Sequence, residues 1–221
     1  MKLIVAPIIL TLLFSCTKFG KTYRVKGKVI NPITGEGFAG AEVSLSRNTI
    51  GIPGGSKVQK TVKTDENGNF DISKLAVRND GVAVLGIANS EFDIYRIGWT
   101  KDGGKTFALG MGAKFGKTIH ADYYAVPYGE LKYTINNINC FDVTDTLVIT
   151  TTYQIPSAFY DENLNTSTYL GCFQYFGNVY SKLPMGWHFF EGFYKKNNIS
   201  TIFKDSIYIT ENGYHEWIFE Y

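Results

Sequence analysis

Short runs of alternating apolar and polar residues, cut every few positions by turn-forming dipeptides, constrain this chain more than any other feature. "TYRVKGKVI" sets Tyr23, Val25, Gly27 and Val29 against Arg24, Lys26 and Lys28, the period of two that sends one face of a strand into a core and the other into water. "AEVSLS", "KVQKTVKT", "NFDI" and "VAVLGIA" repeat the habit, separated by Asn31-Pro32, Thr34-Gly35, Pro53-Gly54-Gly55 and Asn67-Gly68, each a turn signal with a backbone cause. No helical periodicity persists beyond two turns. The pattern therefore predicts an all-β protein.

From residue 76 the spacing loosens, and "DIYRIGW", "KTFALGM" and "KTIHADYYAV" read as further strands. After Pro127 a second set begins at "YGELKYTINN" and continues through "DTLVITTTYQ", "YLGCFQYFGNVY", "GWHFFEGFYKK", "SIYIT" and "YHEWIFEY". With 221 residues, 44% of them hydrophobic, the chain can fill one large core or two small ones. Residues 128–221 suffice for one sandwich of about 100 residues. The expectation is two consecutive antiparallel β-sandwich domains, 23–127 and 128–221.

The opening segment is of another kind. Lys2 gives a short positive start, Leu3 to Phe14 is almost wholly apolar, and Ser15-Cys16 ends the run, too soon for a spanning helix of about 20 residues. It reads as a signal peptide, residues 1–15. Leu13-Phe14-Ser15-Cys16 resembles the lipobox of bacterial lipoproteins, with Leu three before the cleavage point and Cys as the lipidated residue; Phe14 stands where that pattern has a small residue. The resemblance implies a chain anchored in the membrane through lipid on Cys16, with residues 16–22 as a tether, since two acyl signals suffice for stable attachment. An ordinary secretory leader cleaved nearby is the alternative. Thr17 and Lys18 carry neither an acidic retention signal nor an acidic export cluster, which leaves the cell envelope, at the periplasmic side of the outer membrane, as the expected location.

"VKGKVINPITGEGFAGAEVSL" followed by "VKTDENGNFDISKL" resembles the carboxypeptidase regulatory-like domain, a small transthyretin-like β-sandwich. The residues that carry the likeness are Gly27, Thr34-Gly35, Gly40-Ala41, Val43 and the run Thr64 to Phe70. It implies a fold, with Phe70 entering a core after a tight Asn67-Gly68 turn, and no activity. Gly129, Leu131, Asn136-Asn137, Asp145 and Leu147 resemble second domains of Bacteroidetes lipoproteins that begin with such a module.

Chemistry is sparse. Twenty-two Lys and Arg against twenty Asp and Glu, with no basic cluster longer than Lys195-Lys196, give no electrostatic footprint for nucleic acid. Asp65, Asn67, Asn69 and Asp71 alternate like ligands of a calcium loop, but Phe70 and Ala76 stand where such a loop needs Gly and Glu, so a solvated turn is the preferred reading. The glycines of "KDGGK" and "GMGAKFGK" lack P-loop spacing. His120, His188 and His215 are far apart, and no nucleophile or ligand set accompanies them; Asp161-Glu162 fall in a polar stretch. No cofactor, metal or catalytic residue is expected.

With Cys16 lipidated, Cys140 and Cys172 are the remaining thiols in an oxidising compartment, so a disulfide is expected between them; a free Cys172 packing as a small hydrophobe is the alternative. Three functional readings follow. The first is a non-catalytic, membrane-anchored interaction or structural module. The second is a glycan-binding envelope lipoprotein that uses the aromatic residues of its second half, where thirteen of fifteen tyrosines stand with Trp187 and Trp217. The third is a hydrolase with an unrecognised site.

Overall fold

The computed structural model describes residues 22–48, 56–75, 83–87, 94–104, 108, 110–155 and 165–221. All regular structure there is β. In chain order the strands are β1 Thr22–Ile30, β2 Glu42–Asn48, β3 Ser56–Lys63, β4 Asn69–Leu75, β5 Ala83–Ile87, β6 Ile94–Lys101, β7 Met111–Ala113 and β8 Thr118–Asn136. They continue as β9 Thr146–Tyr153, β10 Asn165–Leu170, β11 Gln174–Phe176, β12 Ser181–Pro184, β13 Gly186–Lys196, β14 Ile199–Ile209 and β15 Tyr214–Glu220.

The organising element is β8, 19 residues long, or about 60 Å at the usual rise per residue. Its first half pairs with β1 on one edge and β6 on the other; its second half pairs with β15 and, on the opposite edge, with β12 and then β11. A sheet β3-β2-β5-β7 and a sheet β10-β9-β13-β14 complete two sandwiches. Most pairings are antiparallel, as the sequence suggested, and two are not: β1 and β15 run parallel to β8. Each of these partners lies far from β8 along the chain, so local periodicity carries no signal of direction.

Alternation in β8 explains the two cores. Ile119, Ala121, Tyr123 and Ala125 join Val25, Val29, Phe70, Ile72 and Leu85 in the first; Leu131 and Ile135 join Leu147, Phe190, Ile209 and Trp217 in the second. Between them the strand is buried on both faces, because Val126 packs with Tyr95, Ile97 and Ile155 in a third, small cluster. A bulge in β6 between Arg96 and Gly98 makes this possible. The extra residue lets Ile97 join the small cluster while Trp99 enters the first core, against Tyr123 with ring centroids 4.8 Å apart and Phe70 at 6.0 Å.

Pro127 lies inside β8 and is buried, so the 127/128 boundary falls within a strand that both sandwiches share. It stands at the last β6 pair, opposite Ile94, just where β12 takes over at Tyr128. A residue without an N–H is tolerated where a ladder changes partners, and its carbonyl accepts from the N–H of Met185 at 2.9 Å.

Two glycines mark places where backbone geometry dictates the residue. Gly68 has φ +80° at the turn between β3 and β4, a conformation open to glycine at no steric cost. Gly27 lies where β1 approaches β8: a Cβ there would stand 1.8 Å from the Ala121 carbonyl oxygen. The β1–β8 ladder is interrupted at that point, and the Asp122 carboxylate accepts from the Lys28 N–H at 2.9 Å.

Candidate functional site

Among the described residues the second sandwich does not close along its whole length. Between its sheets lies an open cleft of about 300 Å³, lined by inward-facing side chains of β8, β9, β10, β11, β12, β13 and β15. Its floor is apolar: Ile135, Ile149, Phe190 and Trp217, the last two stacked at 4.0 Å with planes 16° apart. Four tyrosines, Tyr133, Tyr153, Tyr169 and Tyr175, form its walls and rim. Tyr133 meets Phe190 and Trp217 edge-on, at 6.3 and 6.4 Å, and Tyr169 stacks on Phe173 at 4.2 Å, so two of these rings are held by neighbours.

Thr151, Asn165, Ser167 and Ser181 complete the lining. They occupy inner positions of the two sheets, where a sandwich ordinarily places apolar residues. On β9 the contrast is direct: Leu147 and Ile149 are buried core, and two positions on, Thr151 faces the cleft. No Asp, Glu, His, Lys, Arg or Cys is among the described residues that line it. Burial pushes the Tyr133 phenol well above its ordinary range and raises that of Tyr153, so both remain neutral hydroxyls that can give and accept hydrogen bonds.

The aromatic residues singled out in the sequence divide three ways. Trp217 is core and forms the cleft floor, whereas Trp187 stands on the outer face of β13, beside Phe189 at 6.5 Å and Tyr208 at 5.3 Å. Tyr194 and Tyr221 pack against the second core, and Tyr123 belongs to the first. The cleft collects residues from seven strands, and their shared feature, polar side chains on the inner parity of β9 and β10, becomes readable only once the register is known.

The other candidates do not converge. His188 is buried on β13, its Nε2 bonded to the Pro184 carbonyl at 2.8 Å, and burial lowers its pKa. His120 is exposed on the first half of β8, and His215 on β15 accepts at Nε2 from the Thr210 N–H at 3.0 Å. Asp65 Oδ1 accepts from the N–H groups of Asn67 and Asn69 at 2.9 and 2.8 Å, while the Asn69 side chain also donates to both oxygens. These bonds, that from the Asn69 side chain foremost, hold the Asp65 carboxyl below the usual range. Asp71 meanwhile pairs with Arg24 on the neighbouring strand. Among the described residues no three His, Cys, Asp or Glu side chains are grouped to hold a metal. Asp161-Glu162 and Cys16 lie outside the described residues.

Cys140 and Cys172 are joined by a disulfide, their Cα atoms 5.2 Å apart. Cys172 stands in the turn between β10 and β11 and is exposed, not within an apolar strand as the sequence suggested. Behind the bridge lies Asp145, fully buried, which accepts from the Phe141 N–H at 2.9 Å and the Asn137 amide at 3.1 Å. Burial alone would push this carboxyl up; the two donors, with the charge of Lys196, hold it below the usual range. The bridge and this buried carboxylate fix the end of the sandwich where β8 stops.

No family model and no curated protein matches the chain. Among solved structures it is similar to the Bacillus anthracis TIE protein, with 14% identity and a TM-score of 0.31 over 90% of this chain and 34% of that one. It is also similar to a streptococcal ancillary pilin, with 13% identity and a TM-score of 0.32 over 87% and 62%. The third is the shaft pilin SpaA of Lactobacillus rhamnosus GG, with 7% identity and a TM-score of 0.32 over 90% and 97%. The chain thus spans about a third of the first protein and under two thirds of the second; likenesses of this size assign no ligand.

Proposed function

We propose that this protein is a non-catalytic interaction module of the cell envelope, held at a membrane through lipid on Cys16, with the cleft of the second sandwich as its binding site. The observation that carries the reading is the course of β8. Thr22, the last residue of the tether, accepts at its carbonyl from the Gly116 N–H, and Arg24 pairs with Thr118 at the start of β8. Tyr133 and Ile135 of the cleft lie near its end, about 50 Å further along the strand. One uninterrupted strand would hold the cleft away from a bilayer that grips the tether.

The disulfide supports an oxidising compartment. Of three cysteines it occupies two, leaving Cys16 as the remaining thiol. Glycoside cleavage ordinarily needs a pair of carboxylates, and none is among the described residues that line the cleft. Carbohydrate is the second reading, favoured by the mixture of rings and hydroxyls in the cleft.

The test of the anchor is detergent-phase partitioning of the full chain expressed in a bacterial host. Wild type enters the detergent phase, and Cys16→Ser, which has no sulfur to alkylate, stays in the aqueous phase or remains unprocessed. A Cys16→Ser protein that partitions like wild type overturns the anchor.

A further inference from the structure

We infer that the cleft is a seat for an uncharged saccharide of one or two rings, an assignment that rests on reading the second sandwich as a binding module. The starting point is a violation of sandwich patterning. Inner positions face a dry core and are filled by apolar residues; polar groups placed there cost free energy unless something satisfies them. Here Thr151 and Ser167, half-buried, and Asn165 and Ser181, exposed at the opening, hold the inner parity at one end of a sandwich where Leu147 and Phe190 fill inner positions further along. His188, a polar residue at an inner position of β13, is buried and hydrogen-bonded to the Pro184 carbonyl, whereas the cleft residues face open space.

The space itself points the same way. Interiors pack to crystal density, and a void forfeits the dispersion contacts of its walls. A cleft of about 300 Å³ is at the small end of the range in which ligands are held, roughly 300–1,000 Å³. Its polar walls make it a wet space rather than an empty one, and ordered water is what a ligand hydroxyl can replace.

The lining then selects the chemistry. The half-buried rings of Tyr133, Tyr153 and Tyr169 and the exposed ring of Tyr175 stand above the buried Phe190–Trp217 stack, among hydroxyl and amide groups. A pyranose matches both, because one face presents C–H groups and its edge presents hydroxyls that donate and accept. Charge is excluded by the same lining: no cationic side chain among the described residues there would repay the desolvation of a carboxylate or phosphate. Uronic acids, nucleotides and anionic lipid headgroups are therefore poor ligands. The outer-face rings Trp187 and Phe189 stand beside Tyr208, Ser206 and Thr152 on the opposite face of the sheet from the cleft and take no part.

The experiment titrates the detergent-solubilised full chain with gluco-, galacto-, manno- and xylo-oligosaccharides of two to four units, and with oligogalacturonides as the acidic arm, by calorimetry or ligand-observed NMR. Saturable binding of at least one neutral series, and none of the acidic one, is expected. Tyr175→Ala removes an exposed rim ring and should weaken that binding about tenfold or more, the size of one aromatic contact. Ser167→Ala, which relieves a polar inner position and should leave folding intact, weakens it severalfold, whereas Trp187→Ala on the outer face leaves it unchanged. The proposal is overturned if no neutral oligosaccharide binds up to about 10 mM, weaker than any affinity worth about 3 kcal/mol. Binding of the acidic series alone, or binding lost with Trp187→Ala and retained with Tyr175→Ala, overturns it equally. Cys16→Ser protein carries the same cleft, so sugar binding without membrane partitioning sinks the anchor alone, and partitioning without sugar binding sinks the saccharide assignment alone.

Discussion

Reduction of the Cys140–Cys172 bridge is the perturbation whose size the structure fixes best. The bridge spans a sequence separation of 32, and closing a loop of that length in the unfolded chain corresponds to about 3.7 kcal/mol in the chain-entropy model. Cys172 is exposed and Cys140 half-buried, so a reductant reaches the bond without unfolding the protein. The thermal consequence depends on β8. If the two sandwiches unfold separately, the second behaves as a domain of about 100 residues, and the loss lowers its midpoint by about 15–30 °C. If the shared strand makes the chain one cooperative unit, a single transition falls by about 7–15 °C instead.

The strand predicts the second outcome. Val126 is buried in a cluster that draws on β6 and on the segment after β9, so opening either sandwich strips contacts from the other. Differential scanning calorimetry with and without reductant measures both the shift and the number of transitions. Two resolved peaks, only one of them moved by reductant, would refute the coupling through β8. An unchanged midpoint, together with two additional free thiols in the denatured, unreduced protein, would refute the bridge.

Two further outcomes follow from single residues. Gly27→Ala places a Cβ 1.8 Å from the Ala121 carbonyl oxygen, a clash with backbone that no rotamer relieves, and should lower stability in urea titration by about 2–3 kcal/mol or more; a loss below about 0.5 kcal/mol would contradict the β1–β8 approach. Asp145 has a folded-state pKa below its unfolded value, so its stabilising contribution is full above the unfolded value near 3.9 and disappears as pH falls through the folded one. Asp145→Asn should therefore be clearly less stable than wild type near neutrality, with the gap narrowing as pH falls below about 4; a gap independent of pH would show that the carboxylate's charge plays no part.

The sequence by itself determined the class of structure and many of its strands. Alternation in "TYRVKGKVI" became β1 with Tyr23, Val25 and Val29 inside, and Asn67-Gly68 became the tight turn before β4, because both signals act within a few residues of backbone. Pairing direction, shared strands and the cleft were decided only in three dimensions. Pro127 reads as a break when its missing N–H is considered alone, yet it sits inside a 19-residue strand, since β6 and β12 exchange at that point and no bond is forfeited. Ser167 and Thr151 read as ordinary strand residues; that they stand on paired strands of one sheet and face the other sheet across an open space, with no charged side chain among the described residues that line it, depends on pairings between distant segments, which no local pattern encodes.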